Sequence, residues 1–126
     1  MNYETVERNM KNKFGLERNQ FVRIKGSGTE GFGIIEGFEA DGQSVDLMNA
    51  EMADDFGVWS IALTEIEHVT EAEIKETLAE IESRYEEFPY FIIQLNDIEE
   101  LSEYHIQEND FIKHLRETNV VLNESY

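Results

Sequence analysis

Residues 20–69 consist of short apolar runs separated by glycine, Asp-Gly and polar residues, and this stretch constrains the fold more than any other. Within the runs, apolar residues alternate with polar or small ones, as in the strands of a small antiparallel sheet. A helical segment precedes the stretch, and a helix and a looser region follow it. The chain of 126 residues is therefore long enough for one domain with a single core.

Turn-forming residues within this stretch predict where its strands begin and end. Asp41-Gly42 is the strongest local signal, because Asp-Gly supplies the positive φ angles that a tight hairpin turn needs. Gly26 to Gly28 predicts an earlier turn, and Thr64-Glu65 predicts a brief one before the last strand. The predicted strands lie at about 20–25, 31–39, 44–48, 58–63 and 66–69.

This succession of five strands and tight turns resembles an SH3-like or Sm-like small barrel. The resemblance covers about fifty residues, 20–69, and is one of pattern. Glycines at 31, 33 and 37 fit a strongly bent strand. The resemblance implies a closed antiparallel barrel, but it implies no single function, because such barrels serve peptide-binding, nucleic-acid-binding and structural roles.

Helical signals lie on both sides of the predicted barrel. Apolar residues at steps of three and four predict an N-terminal helix at about 3–13. Thr70 and Glu73 form a capping box that begins an amphipathic helix at about 71–87. Pro89 ends this helix, because proline restricts the residue before it.

The C-terminal section fits more than one pattern. Segment 90–95 has both helical spacing and a strand-like Phe-Ile-Ile run, and we favour a strand. Helices near 97–105 and 110–117 and a last strand at 120–122 follow. We therefore expect one α+β domain over residues 1–126, with a helix in 1–19, the barrel in 20–69, and a helix plus mixed α/β section in 70–126.

The net charge of −18 is distributed unevenly along the chain. Met1 to Lys25 contains six basic and three acidic residues, a net +3, whereas residues 26–126 contain four basic and twenty-five acidic residues, a net −21. Nucleic acid is itself a polyanion, so we expect no direct nucleic-acid binding. No apolar run approaches the roughly 20 residues of a membrane span, so we expect no membrane partner.

Cysteine and targeting signals point to the same compartment. The chain contains no cysteine, which excludes disulfides and thiolate chemistry within it. Its first residues lack the apolar region of a secretory signal. We expect a cytoplasmic protein.

Three patterns in the sequence resemble catalytic or metal-binding motifs, but the neighbouring elements or the residue spacing argue against each of them. Gly26-x-Gly28-x-x-Gly31 follows a strand, but another strand continues from it where a dinucleotide loop requires a helix. The segment that begins at Glu39 places glycine at loop position four, whereas an EF-hand needs it at position six. The histidines, His68, His105 and His114, have no metal-ligand spacing. We expect no catalytic, cofactor or metal site, and a protein that is not an enzyme.

Two apolar features leave alternatives open. A tryptophan in the fourth strand, Trp59, is by default a core residue, and the alternative is an aromatic shelf for a peptide. Met48, Met52 and Phe56 lie in or beside an acidic loop, where they either fold back as a lid over the open end of the barrel or form a protein-binding tip.

The acidic surplus supports the leading functional hypothesis. A fixed array of carboxylates on a folded scaffold imitates the phosphates of a duplex and attracts a basic partner. In composition the chain resembles DNA-mimic and anti-CRISPR inhibitors and the immunity proteins of nuclease toxins. We therefore predict a non-enzymatic inhibitor or regulator of a basic, nucleic-acid-handling protein such as a nuclease. The residues predicted to bind this partner are Glu51, Met52, Asp54, Asp55, Phe56, Glu73, Glu76 and Glu80.

Two other classes stay open from the sequence alone. One is a structural or accessory domain that docks or forms a homodimer through the apolar stripe of the helix at 71–87. The other is a metal-dependent hydrolase that uses some of the abundant carboxylates.

Overall fold

The computed structural model describes residues 3–51 and 59–124. Its helices and strands follow the predicted order over the first two thirds of the chain. The α-helices are α1 (Tyr3–Phe14), α2 (Glu71–Ser83), α3 (Pro89–Asn96) and α4 (Asp110–Glu124), and the strands are β1 (Phe21–Ile24), β2 (Phe32–Phe38), β3 (Ser44–Asn49), β4 (Trp59–Ala62) and β5 (Ile66–His68). Short 3-10 helices span Gly28–Gly31, Leu63–Glu65 and Glu99–Tyr104.

The strands form one antiparallel five-stranded sheet in the order β4-β3-β2-β1-β5. The predicted α+β architecture is confirmed at this level. The closed SH3-like or Sm-like barrel is not, because β4 and β5 are the two ends of an open sheet in the part of the chain that the structure describes. A three-residue 3-10 helix separates these two strands, and β5 pairs with β1 instead.

The Asp-Gly signal marks a hairpin turn, but of a longer kind than predicted. Gly42 has a φ of +70°, and its N–H donates to the carbonyl of Glu39 at 3.0 Å. Asp41 does not adopt a positive φ, so the connection is a five-residue loop built around a four-residue turn. The Asp41 carboxylate instead accepts a hydrogen bond from the Gln43 N–H at 2.9 Å.

Both faces of the sheet are covered. The first core lies against α1 and contains Val6, Met10, Leu16, Val22, Ile35, Phe38, Val45, Leu47 and Ile66. The second core lies between the opposite face and the C-terminal helices, and it includes Phe21, Phe32, Ile34, Met48, Ile81, Phe91, Leu95 and Ile112. Alternation along each strand therefore supplies two cores, one from each face of the pleat.

The C-terminal section is helical, and both predicted strands there are wrong. Segment 90–95 lies within α3, and residues 120–122 lie within α4. Pro89 begins α3, where its missing N–H has no intrahelical partner to lose, and α2 already ends at Ser83. The apolar run that suggested a strand is a helix whose residues are mostly buried, with Phe91, Ile92, Ile93 and Leu95 all in the core.

The default assignment of Trp59 to the core is also wrong. Its side chain is 51% exposed, because β4 is an edge strand whose residues are largely accessible.

None of the helices within the described residues is both long and apolar enough to cross a membrane.

Candidate partner-binding surface

The structure places half of the predicted partner-binding residues. Met52, Asp54, Asp55 and Phe56 lie outside the described residues. Glu51 lies two residues after the end of β3. The three glutamates of α2 recur at steps of three and four, so they share one helix face. These three are Glu73, Glu76 and Glu80.

Arg23 connects the sheet to the first glutamate of this face. Its Nη2 donates to the Glu73 carboxylate at 3.2 Å, and its Nε donates to Glu67 at 2.7 Å. Arg23 in β1 and Glu67 in β5 are directly opposed in the sheet. Hydrogen bonding to Glu67, and secondarily to Glu73, raises the pKa of the Arg23 guanidinium.

Arg84 gathers three more carboxylates at the other end of the face. Its guanidinium donates to Glu87 at 2.8 Å and to Glu30 and Glu80 at 3.1 Å each. It also lies over the Phe88 ring, 4.9 Å from the centroid. The Glu87 and Glu30 hydrogen bonds raise the pKa of Arg84, and Arg84 in turn lowers the pKa of Glu87.

The chain near Glu51 adjoins the same group of residues. The Glu51 N–H donates to the Glu30 carbonyl at 3.2 Å. Next to Glu30, the Thr29 hydroxyl donates to the Glu80 carboxylate at 2.6 Å. A shallow cleft of about 260 Å³ lies between the 3-10 helix Gly28–Gly31 and α2, with Glu76 at its border. The structure thus places Glu73, Glu76 and Glu80 beside this cleft, and the backbone of Glu51 next to Glu30.

We call these residues the acidic cluster and define it as Glu30, Glu67, Glu73, Glu76, Glu80 and Glu87 together with Arg23 and Arg84. Six carboxylates against two guanidinium groups leave a formal charge of −4. Glu73 and Glu80 are ion-paired, whereas Glu76 makes no ion pair with another described residue. The predicted face is therefore partly neutralised. The two arginines hold five of the six carboxylates through ion pairs and neutralise only part of their charge.

Sequence reasoning missed Arg23 and Arg84 as the organising residues of the cluster. The spacing of Arg84 from Glu80 and Glu87, at i−4 and i+3, could have identified two of its partners. No local pattern could have identified Glu30, which is 54 residues away in the chain.

A second acidic group lies on the 3-10 helix that follows α3. Glu99, Glu100 and Glu103 are exposed and make no ion pair within the described part of the chain. The neighbouring Tyr104 hydroxyl hydrogen-bonds to the Glu71 carboxylate, which raises the pKa of Tyr104 to about 12. These three glutamates provide a comparison surface for the acidic cluster.

The residues behind the other functional alternatives have structural roles here. His68 and His105 each place Nε2 near a backbone carbonyl, that of Phe14 at 3.0 Å and that of Ile98 at 3.1 Å. Among the described residues, no group of three or more histidine or carboxylate side chains is arranged to hold a metal ion. The apolar stripe of α2 is buried in the core of this chain, so it does not offer a docking face to a second molecule; its members are Ile74, Leu78 and Ile81.

The ion pairs predict a specific dependence of stability on pH. The pKa of Glu30 is lowered first by a hydrogen bond to its own backbone amide and then by Arg84. The pKa of Glu73 is lowered first by a hydrogen bond to the backbone amide of Thr70 and to a smaller extent by Arg23. Hydrogen bonding to Arg84 lowers the pKa of Glu87. Groups with a lowered folded-state pKa contribute stability that is complete above the unfolded value of about 4.3 and is lost as the pH falls through the folded value. We expect R84M to be less stable than the wild type at neutral pH, with the difference shrinking between about pH 5 and pH 3.

Thermal unfolding of both proteins across this pH range measures the effect. Partial desolvation raises the pKa of the Glu36 carboxyl, and hydrogen bonding to Asp46 raises that of Glu39, so both groups act in the opposite direction in both proteins. The difference between the two curves removes their contribution. A constant difference across the range would show that Arg84 does not stabilise the ionised carboxylates.

The sequence matches no protein-family model, and neither curated proteins nor solved structures give a match to it.

Proposed function

We propose that this protein is a non-enzymatic binding protein that inhibits or regulates a basic, nucleic-acid-handling partner, in the manner of DNA-mimic or anti-CRISPR inhibitors or of immunity proteins against nuclease toxins. The partner meets it in the cytoplasm and docks on the acidic cluster. The observation that carries the proposal is that Arg23 and Arg84 hold five of the six carboxylates of the cluster through ion pairs, while the cluster keeps a net charge of −4.

Preorganisation is what makes this cluster suited to binding. A flexible glutamate loses side-chain entropy when it is ordered by a partner, whereas side chains already held by arginine lose less. Guanidinium groups bind several carboxylates at once because they have five donors in a planar fork. Complementary charge then accelerates encounter with a basic cleft and disfavours acidic partners.

The test compares two variants that remove equal charge from different surfaces. The cluster variant is E73Q/E76Q/E80Q, in which glutamine at position 73 preserves the capping box. The control is E99Q/E100Q/E103Q on the comparison surface. Each immobilised protein is used to isolate basic proteins from the source cell, and the affinity of the retained partner is then measured for all three.

We expect the cluster variant to bind on the order of 30-fold more weakly, because it removes three negative charges from the proposed contact surface, and the control to bind nearly as well as the wild type. We also expect the wild-type affinity to fall steeply as salt rises from about 0.05 to 0.5 M, where the Debye length becomes shorter than the separation of exposed charges. Equal losses in both variants would mean that only net charge matters. Affinity that is independent of salt would contradict the proposal.

A further inference from the structure

The outer edge of β4 is an unpaired strand edge. β4 is last in the sheet order and pairs only with β3 in the described part of the chain. The Leu63 N–H donates to the Gln43 carbonyl at 3.0 Å, and hydrogen-bonded pairs alternate along an antiparallel ladder. The backbone groups of Ser60 and Ala62 therefore point away from β3, toward the open edge.

The two faces of this edge differ in chemistry. Trp59 and Ile61 oppose Leu47 and Val45, which are fully buried, so they lie on the apolar face. The Trp59 side chain is half exposed there. A strand added at this edge would place every second side chain beside Trp59 and Ile61.

The opposite face of the edge is acidic. Ser60 opposes Asp46 across the β3–β4 ladder. The Glu39 carboxylate adjoins both: hydrogen bonding to Asp46 raises the pKa of Glu39, and hydrogen bonding to Ser60 lowers it. The side chains of an added strand that fall on this face would meet two carboxylates and a hydroxyl group.

We propose that the β4 edge binds an extended basic peptide segment of a partner protein, which adds a sixth strand to the sheet. The peptide alternates lysine or arginine, facing Asp46 and Glu39, with β-branched or aromatic residues, facing Trp59 and Ile61. Main-chain hydrogen bonds to Ser60 and Ala62 supply affinity, and the two faces supply specificity. This surface is at the opposite end of the sheet order from β1 and β5, which carry part of the acidic cluster.

Charge selects this occupant over a second copy of the same chain. Two copies paired through β4 would place the Asp46 and Glu39 carboxylates of both in one continuous sheet, where the like charges repel each other. An acidic peptide meets the same repulsion. A basic strand neutralises the pair, and its β-branched or aromatic side chains on the other face can cover the exposed ring of Trp59.

The probe is the blocked hexapeptide acetyl-KVKVKV-amide, with acetyl-EVEVEV-amide as its matched opposite. Amide chemical shifts of the protein are recorded by NMR during titration with each peptide. We expect saturable shifts centred on Ser60 and Ala62 with the lysine peptide only. Absence of saturation up to about 5 mM, an affinity weaker than about 3 kcal/mol, would overturn the proposal, and so would equal binding of both peptides.

Two variants separate the backbone contribution from the charge contribution. S60P removes an outward N–H that β3 does not use, and it should weaken binding of the lysine peptide at least tenfold. E39K/D46K should reverse the preference toward the glutamate peptide, and it keeps the proposal testable if S60P does not fold. Retained preference for lysine in E39K/D46K would contradict the proposed orientation.

Two further controls identify the surface. The cluster variant E73Q/E76Q/E80Q should bind the lysine peptide unchanged, so failure of this site and failure of the proposed function are distinguishable. The shifts of Ser60 and Ala62 are also measured against protein concentration without peptide. Shifts that grow with protein concentration would show that β4 pairs with a second copy, which would overturn the proposal.

Discussion

Replacement of Phe91 by alanine is expected to lower the free energy of unfolding by about 4 kcal/mol. The Phe91 side chain has no exposed surface, and its ring meets Phe32 edge to face with the centroids 6.3 Å apart. Phe32 in turn stacks on Phe21 at 5.1 Å, so Phe91 connects α3 to the centre of the sheet. F91A would remove the buried apolar surface of the ring and leave a cavity between α3 and the sheet. The surrounding structure can fill this cavity only in part.

The matched control for F91A is F111A, the same change at a phenylalanine that is 39% exposed. Phe111 contacts the Tyr85 ring at 5.6 Å, but it lies at the surface of α4. We expect F111A to lower the free energy of unfolding by no more than about 1 kcal/mol. Urea denaturation of the three proteins measures both values, and equal losses would show that α3 does not pack as described.

The second large effect is expected at Gly33, where alanine should destabilise the protein by about 3 kcal/mol. A Cβ atom at this position would collide with the Met48 carbonyl oxygen and lie 2.7 Å from the Asn49 Cα. Both obstacles are backbone atoms of the neighbouring strand, which Gly33 opposes in register, so no rotamer change can relieve the contact. For a domain of this size we expect the melting temperature to fall by roughly 12 °C.

The same substitution at Gly42 separates steric from conformational effects. Gly42 has a φ of +70°, and a Cβ atom added there would meet no atom within 4 Å beyond its chain neighbours, so G42A is strained only by its backbone conformation. We expect a loss of about 1 kcal/mol there. A loss at Gly33 no larger than that at Gly42 would contradict the close approach of β2 and β3.

Local signals accounted for α1, the strand order along the chain and the start of α2. The capping box is a clear example, since the Thr70 hydroxyl accepts from the Glu73 N–H at 3.1 Å and the Glu73 carboxylate accepts from the Thr70 N–H at 3.2 Å. Both partners lie within one turn of each other, so their pattern in the sequence is sufficient to predict the bond. The Asp41-Gly42 turn was predictable for the same reason, although its length was not.

The interval 90–96 shows where local signals end. A continuous apolar run fits a buried strand and a buried helix equally well, because burial on all sides removes the periodicity that separates them. The neighbours decide between the two, and here the sheet and the other helices surround α3. Trp59 is the converse case: alternation predicted burial, and the position of β4 at the sheet edge left the side chain exposed.

The sequence by itself determined the kinds of elements over the first two thirds of the chain, the cap of α2 and a net charge of −18, because each depends on composition or on residues a few positions apart. Only the tertiary structure decided the ion pairs between distant segments, in which Arg84 reaches Glu30 and Arg23 reaches Glu73 across 54 and 50 residues of chain. It also decided that the sheet stays open and that β4 is its edge. These features arise from contacts between distant segments, whose energies no local pattern records.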